Sequence, residues 1–273
     1  MPFDDVPISP STVAIRNSDQ DDDELALAYL RSCSVSGGET LYLLVDTTAA
    51  SGLAEFLSQS ECKGKILIIA TNTMADKLAS LSGCLLHPNL DCIAAFSNRE
   101  TAYSLAELRG LDSSVNWENS AWLGHLMSIE WGNSVFTILH TPGITVDGIC
   151  VCDDSEERVF VGDLVSTHVC LLDSADGDIK LYLKSLHLLK LYSSPNCVFS
   201  SSAGTYLTID HLDALLFLVD SIVNGSLLPI GESDGIAYFS SNGLLLEVDH
   251  GVLLRAGDES VDEITQMMSS VAH

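Results

Sequence analysis

The chain has 273 residues, 47% of them apolar and 18% charged, which is enough for a sizeable core. Twelve Lys and Arg stand against thirty-eight Asp and Glu, a formal net charge of −26. That balance excludes nucleic acid as a partner, because phosphates need basic side chains. No window is long and apolar enough to span a bilayer: the best, "LDALLFLVDSIV", is short and carries Asp213 and Asp220.

In chain order, residues 1–10 read as a loose tail, "MPFDDVPISP", with neither the basic region nor the apolar run of a secretory or mitochondrial signal. A cytoplasmic location is expected. "STVAIR" and "LALAYLRSCSV" read as two strands of a hairpin around an acidic turn, with a helix as the alternative for the second, since "DDDE" suits a helix N-terminus. "GGETLYLLVD" is a turn and a buried strand ending at Asp46, and "TTAASGLAEFLSQS" is a short helix. "KGKILIIA" is a second buried strand, followed by a polar loop and a helix to about Ser82. "DCIAAF" is a strand, and "SNRETAYSLAELRG" is a helix capped by Ser97 or Asn98. Two hairpins follow, one turning on Gly132-Asn133 and one on "DDSEER". "DIKLYLKSLHLLKLY" has helical period, "NCVFSS" is a strand, and a long helix starts at Thr208 and stops at Gly225. "GIAYFSSNGLLLEVDHG" is a late hairpin and "DESVDEITQMMSSV" a terminal helix. Strand–helix units and hairpins occur in both halves, which predicts an α/β (α+β) chain with helices covering sheets. No linker divides it, so residues 1–273 read as one domain. Eight Cys lie mostly in apolar segments with no C-x-x-C pair, and Cys150 and Cys152 share a strand face. Free buried thiols in a reducing compartment are expected.

Four segments occur in a telling order: "LLVDTTAASGLAEFL", "ATNTMADKLASL", "FTILHTPGITVDGICV" and "RVFVGDLV", with "NCVFSSSAGT" as a fifth. Together they resemble the metallo-β-lactamase superfamily, especially its glyoxalase II-like hydrolases, from about Leu41 to Gly204. The resemblance implies a four-layer αββα sandwich. It matches Asp46 to the Asp of the family's L-[IV]-D-T-G. It matches Thr71 to Lys77 to the zinc-binding T-H-x-H-x-D-H, with Asp76 retained and Asn72, Met74 and Lys77 in the His positions. His140-Thr141-Pro142-Gly143 keeps H-T-P-G, but Ile144 stands where the next His binds metal. Asp163 matches the Asp that bridges two metals, and Ala203 falls, within about a residue, on the last His ligand.

Zinc takes three or four imidazole, thiolate or carboxylate ligands, and hydrolysis needs the metal to acidify a water. Ile144 and Ala203 offer no donor, the Met74 thioether is soft and weak, and the Lys77 ammonium repels a cation. Asp76 and Asp163 are too few. No functional metal, no cofactor and no catalytic residue is therefore expected; Lys77 is expected to replace the metal as counter-ion, with Met74, Ile144 and Ala203 filling the vacated space. His87, His125, His168, His187, His211, His250 and His273 contain no metal-binding i, i+4 pair.

The expected function is a catalytically inactive binding, regulatory or structural module. A protein partner or a homodimer fits this, with no membrane and no nucleic acid. The alternative is a diverged hydrolase of thioesters, lactones or similar esters, with a weak metal at Asp76 and Asp163 or none; zinc is expected only there.

Overall fold

The computed structural model describes residues 3–17, 27–47, 53–59, 62–74, 77, 84, 88–96, 120–166, 170–173 and 175–258. β1 (Phe3–Pro7), β2 (Thr12–Asn17), β3 (Ala28–Ser34) and β4 (Thr40–Val45) form an antiparallel run. After α1 (Leu53–Gln59), β5 (Ile66–Ala70), β6 (Leu90–Phe96) and β7 (Ser120–Leu123) continue the sheet in parallel, giving seven strands in sequence order. All five residues of β5 are buried, as a strand with parallel neighbours and both faces covered requires.

The second sheet contains β8 (Ser128–Trp131), β9 (Ser134–His140), β10 (Ile149–Asp153), β11 (Arg158–Gly162), β13 (Val198–Ser201) and β14 (Gly204–Leu207), in the order β14-β13-β11-β10-β9-β8. Between β11 and β13 the chain forms β12 (Cys170–Leu172) and the helix α2 (Ile179–Tyr192). After α3 (Ile209–Val223) come β15 (Gly231–Ser233), β16 (Ile236–Ser241), β17 (Leu244–Asp249) and α4 (His250–Asp258). β12 pairs with β17 to complete a third, four-stranded sheet, β12-β17-β16-β15.

Alternation along the strands builds the layers. In β4 and β5, Leu43, Val45, Leu67 and Ile69 point inward to meet Phe136, Ile138, Val151 and Phe160 of the second sheet. Their neighbours Leu44, Ile66 and Ile68 point outward onto Leu53, Phe56 and Leu57 of α1. On the far side, Cys150, Val159 and Val161 face Tyr182, Leu186 and Leu189 of α2, together with α3 and the third sheet. The order is helix, sheet, sheet, helix, the αββα sandwich expected from the motifs.

One boundary needs correction. Residues 3–10 of the expected loose tail are not loose: Phe3–Pro7 pairs with β2 in antiparallel register and Ile8 is 5% exposed. "FDDVP" lacks an apolar alternation because β1 is an edge strand with an exposed surface, where acidic residues are normal. β7, β12, β14, β15 and α4 also formed without a clear local signal in the sequence. The helix through Ser82, the Ser97 or Asn98 cap and the terminal helix beyond Asp258 lie outside the described residues. The Cys of the described core (Cys33, Cys62, Cys84, Cys150, Cys152 and Cys197) are free and buried.

Candidate functional site

The C-terminal ends of β4, β5, β9 and β11 converge at one edge of the sandwich, which gathers sequence-distant loops. Asp46 leaves β4 with φ 61°. Its carboxylate accepts hydrogen bonds from the Thr71 backbone N–H at 2.7 Å and the Thr71 hydroxyl at 2.8 Å. Gly162, at φ 54°, comes so close that a Cβ would stand 2.5 Å from Thr71 Oγ1. Thr71 thus keys the β4, β5 and β11 loops together. Thr73 repeats the device: its N–H and hydroxyl both donate to Asp147 Oδ2, at 2.8 and 2.7 Å.

On this frame, Lys77 is 2% exposed and its Nζ lies 2.9 Å from Asp163 Oδ1. Asp163 Oδ2 accepts from the Asn72 amide at 3.0 Å. Asn72 in turn accepts from the Met74 N–H at 2.9 Å. The Lys77 carbonyl accepts from Thr47 through its N–H at 3.1 Å and its hydroxyl at 2.6 Å. Both ends of Lys77 are therefore held. Met74 and Ala203 are half-buried, and half-buried Ile144 packs against the core that includes α2. A cavity of about 10 Å³ remains, lined by Thr71, Asn72, Thr141, Ile144, Thr145 and Asp163 among others. That is about the space of one water.

Charge here follows Lys77. Burial pushes the Asp46 carboxyl up to about 7, against the pull of Lys77 and the Thr71 hydrogen bonds. Burial also acts to raise Asp163, but the Lys77 charge and the bonds from Lys77 and Asn72 win, and its carboxyl is held below the ordinary range. His140, depressed by burial, points its Nε2 at the Val146 carbonyl, 3.0 Å away, and its backbone N–H donates to His125 Nδ1 at 3.1 Å.

The zinc that the resemblance implies does not fit this donor set. Both Asp163 oxygens are engaged, one by an ammonium that a dication would repel. Among the described residues no three His, Cys, Asp or Glu side chains gather to hold a metal. Asp76, His87, His168 and His273 lie outside the described residues. His187 is exposed on α2, His250 pairs at 3.7 Å with Glu232, and His211 Nδ1 accepts from the Thr208 N–H at the start of α3.

The structure brings together Asn72, Lys77 and Asp163, and Ile144 lines the same small cavity as Asn72 and Asp163. Asp147 was not singled out by sequence reading; the Asp-Gly pair after "HTPGITV" was its only signal.

A model of the Metallo-beta-lactamase superfamily matches residues 91–200. No curated protein matches the sequence at a significant level. A metallo-β-lactamase from Pontibacter korlensis is 16% identical with a TM-score of 0.62, over 80% of this chain and 99% of that one. A β-lactamase domain protein from Burkholderia ambifaria is 14% identical with a TM-score of 0.63, over 81% and 76%. An archaeal metallo-β-lactamase superfamily protein from Sulfolobus tokodaii is 15% identical with a TM-score of 0.57, over 86% and 90%. At these identities the likeness is one of fold.

Proposed function

We propose that this chain, which has the metallo-β-lactamase fold, is a non-catalytic module whose former metal cleft is closed by an internal ion pair. The observation that carries the reading is the Lys77 ammonium, 2% exposed and 2.9 Å from Asp163. A cation is needed where the fold crowds carboxylates, and here the chain supplies its own. Two unit charges about 4 Å apart attract by roughly 4 kcal/mol at an effective dielectric near 20, before desolvation is subtracted. Asn72 takes the remaining Asp163 oxygen, and Ile144 and Ala203 offer no donor atoms. Among the described residues, the pocket that Asn72, Ile144 and Asp163 line holds about 10 Å³, the space of about one water. Gly143, Gly162 and the Asp46–Thr71 lock serve the sandwich itself, with or without chemistry. Such a module acts by binding, as a regulator or scaffold of a protein partner.

The deciding experiment is metal content by mass spectrometry, on protein purified without chelator and then offered excess zinc and manganese. The expected result is below about a tenth of an equivalent retained and no change in thermal midpoint, since tight ligands at high excess would stabilise by several kcal/mol. Retention near one equivalent would overturn the reading. Thioesters and lactones would then be the substrates to screen.

A further inference from the structure

We infer that the solvent face of α2 and α3 is the docking surface for a second copy of this chain, placed two-fold so that α2 of each copy meets α3 of the other.

The inner faces of both helices are spent on the core: Tyr182, Leu186 and Leu189 from α2, and Leu212, Leu215 and Val219 from α3. The outer faces each carry a large exposed apolar side chain. Leu191 is 79% exposed and Phe217 is 59% exposed. Leu191 is next to Lys190 on α2, and Phe217 stands between Asp213 and Asp220 on α3. Lys184, His187 and Lys190 are exposed on α2, and Asp213 and Asp220 are exposed on α3 around Phe217. In a chain of net charge −26, α2 holds three of the twelve Lys and Arg, Lys180, Lys184 and Lys190, and α3 holds none. The Lys190–Asp213 ion pair joins the two helices within one chain, so the basic and acidic rows are neighbours on one surface.

A surface with adjacent rows of opposite sign is self-complementary. A two-fold axis between them brings each basic row onto the other copy's acidic row, twice. The spacing agrees. Lys184, His187 and Leu191 step by three and then four residues, and Asp220, Phe217 and Asp213 do the same when read backwards. Two bodies of net charge −26 repel over most of their surface, so an encounter is favoured where basic side chains meet carboxylates. In that register Lys184 faces Asp220, His187 faces Phe217 and Leu191 faces Asp213 of the other copy, so the Phe217 ring packs on the His187 imidazole and adds the apolar area that rows of charge alone do not. Helices of 14 and 15 residues side by side offer a face roughly 21 Å long and 20 Å wide. That lies below the roughly 800 Å² per partner of a standard interface, so the dimer should be weak, in the micromolar range.

Sedimentation velocity from about 1 to about 100 μM tests this. The wild type is expected to shift from monomer to dimer across that range. Phe217→Ser is expected to stay monomeric with an unchanged thermal midpoint. Lys184→Asp and Asp220→Lys should each weaken self-association, by roughly tenfold. An equal mixture of the two should associate more tightly than either alone, because each reversed row then meets the other variant's reversed row. A wild type that is monomeric throughout overturns the proposal. So does a dimer indifferent to Phe217→Ser, or a mixture no tighter than its components. Metal content reads the cleft and sedimentation reads this face, so the two readings fail separately.

Discussion

Lys77 is the residue on which the cleft turns. Lys77→Met keeps much of the volume and removes the charge, leaving Asp163 with the Asn72 amide. Breaking a buried pair by removing one partner costs about 3–5 kcal/mol. Asp163 is 30% exposed, so screening lowers the expectation to about 2–4 kcal/mol. In urea unfolding, the double variant Lys77→Met/Asp163→Asn should cost less than the sum of the single changes by about 1–3 kcal/mol. Strict additivity would show that the pair contributes nothing. Lys77 and Asp163 were legible in the sequence because both fall inside short ordered motifs. Asp147 was not, because its meaning lies in two bonds to Thr73, seventy-four residues away. No local periodicity encodes a contact between two loops.

At the scale of elements, the retained "HTPG" has a structural explanation that involves no metal. Gly143, at φ 136°, lies so close to α2 that a Cβ would stand 2.3 Å from Tyr182 Cα. Its carbonyl accepts from the Asp178 N–H at 2.8 Å, and the Pro142 carbonyl accepts from the Ser185 hydroxyl at 2.6 Å. The loop is the seat of α2. Gly143→Ala must displace helix backbone, so a loss of about 3 kcal/mol or more is expected, comparable to other severe backbone strain. Gly225→Ala is the control: φ is 72° there, but the space around its Cβ is open, and about 1 kcal/mol is expected for strain alone. Urea midpoints of the two variants compare them directly. The long elements were legible for the same kind of local reason. α2 and α3 show helical period, and the β8–β9 and β10–β11 hairpins are marked by a Gly132-Asn133 turn and an acidic turn. The short strands β12, β14 and β15 were not, since three or four residues carry no period and their pairing depends on where β17, β13 and β16 lie.

At the scale of the whole molecule, the two sheets are bolted together at the β10–β11 turn by a buried ionic cluster. Arg31 of β3 donates from Nε to Asp153 at 2.7 Å, and Glu156 stands 3.6 Å from Arg31 and 3.7 Å from Arg158. Glu156 also accepts from the hydroxyls of Ser9 at 2.7 Å, Ser11, and Thr12 at 2.7 Å. This one side chain fastens the turn of the β1–β2 hairpin in the first sheet to the second sheet. Burial works to raise Glu156, yet the three hydroxyls and Arg31 hold its carboxyl below the ordinary range. A carboxyl lowered in the folded state binds fewer protons there than in the unfolded chain, so its contribution is present above the unfolded value, roughly 4.3, and is lost as pH falls through the folded one. Glu156→Ala should therefore destabilise by about 2–4 kcal/mol at pH 7, because two arginines and three hydroxyls lose an acceptor or a counter-charge. The penalty should shrink as the pH drops below about 4, where the wild type protonates its own Glu156. Urea unfolding of both proteins at pH 7 and at decreasing acid pH measures this. A gap that stays constant would mean that the carboxylate's charge is not what joins the sheets.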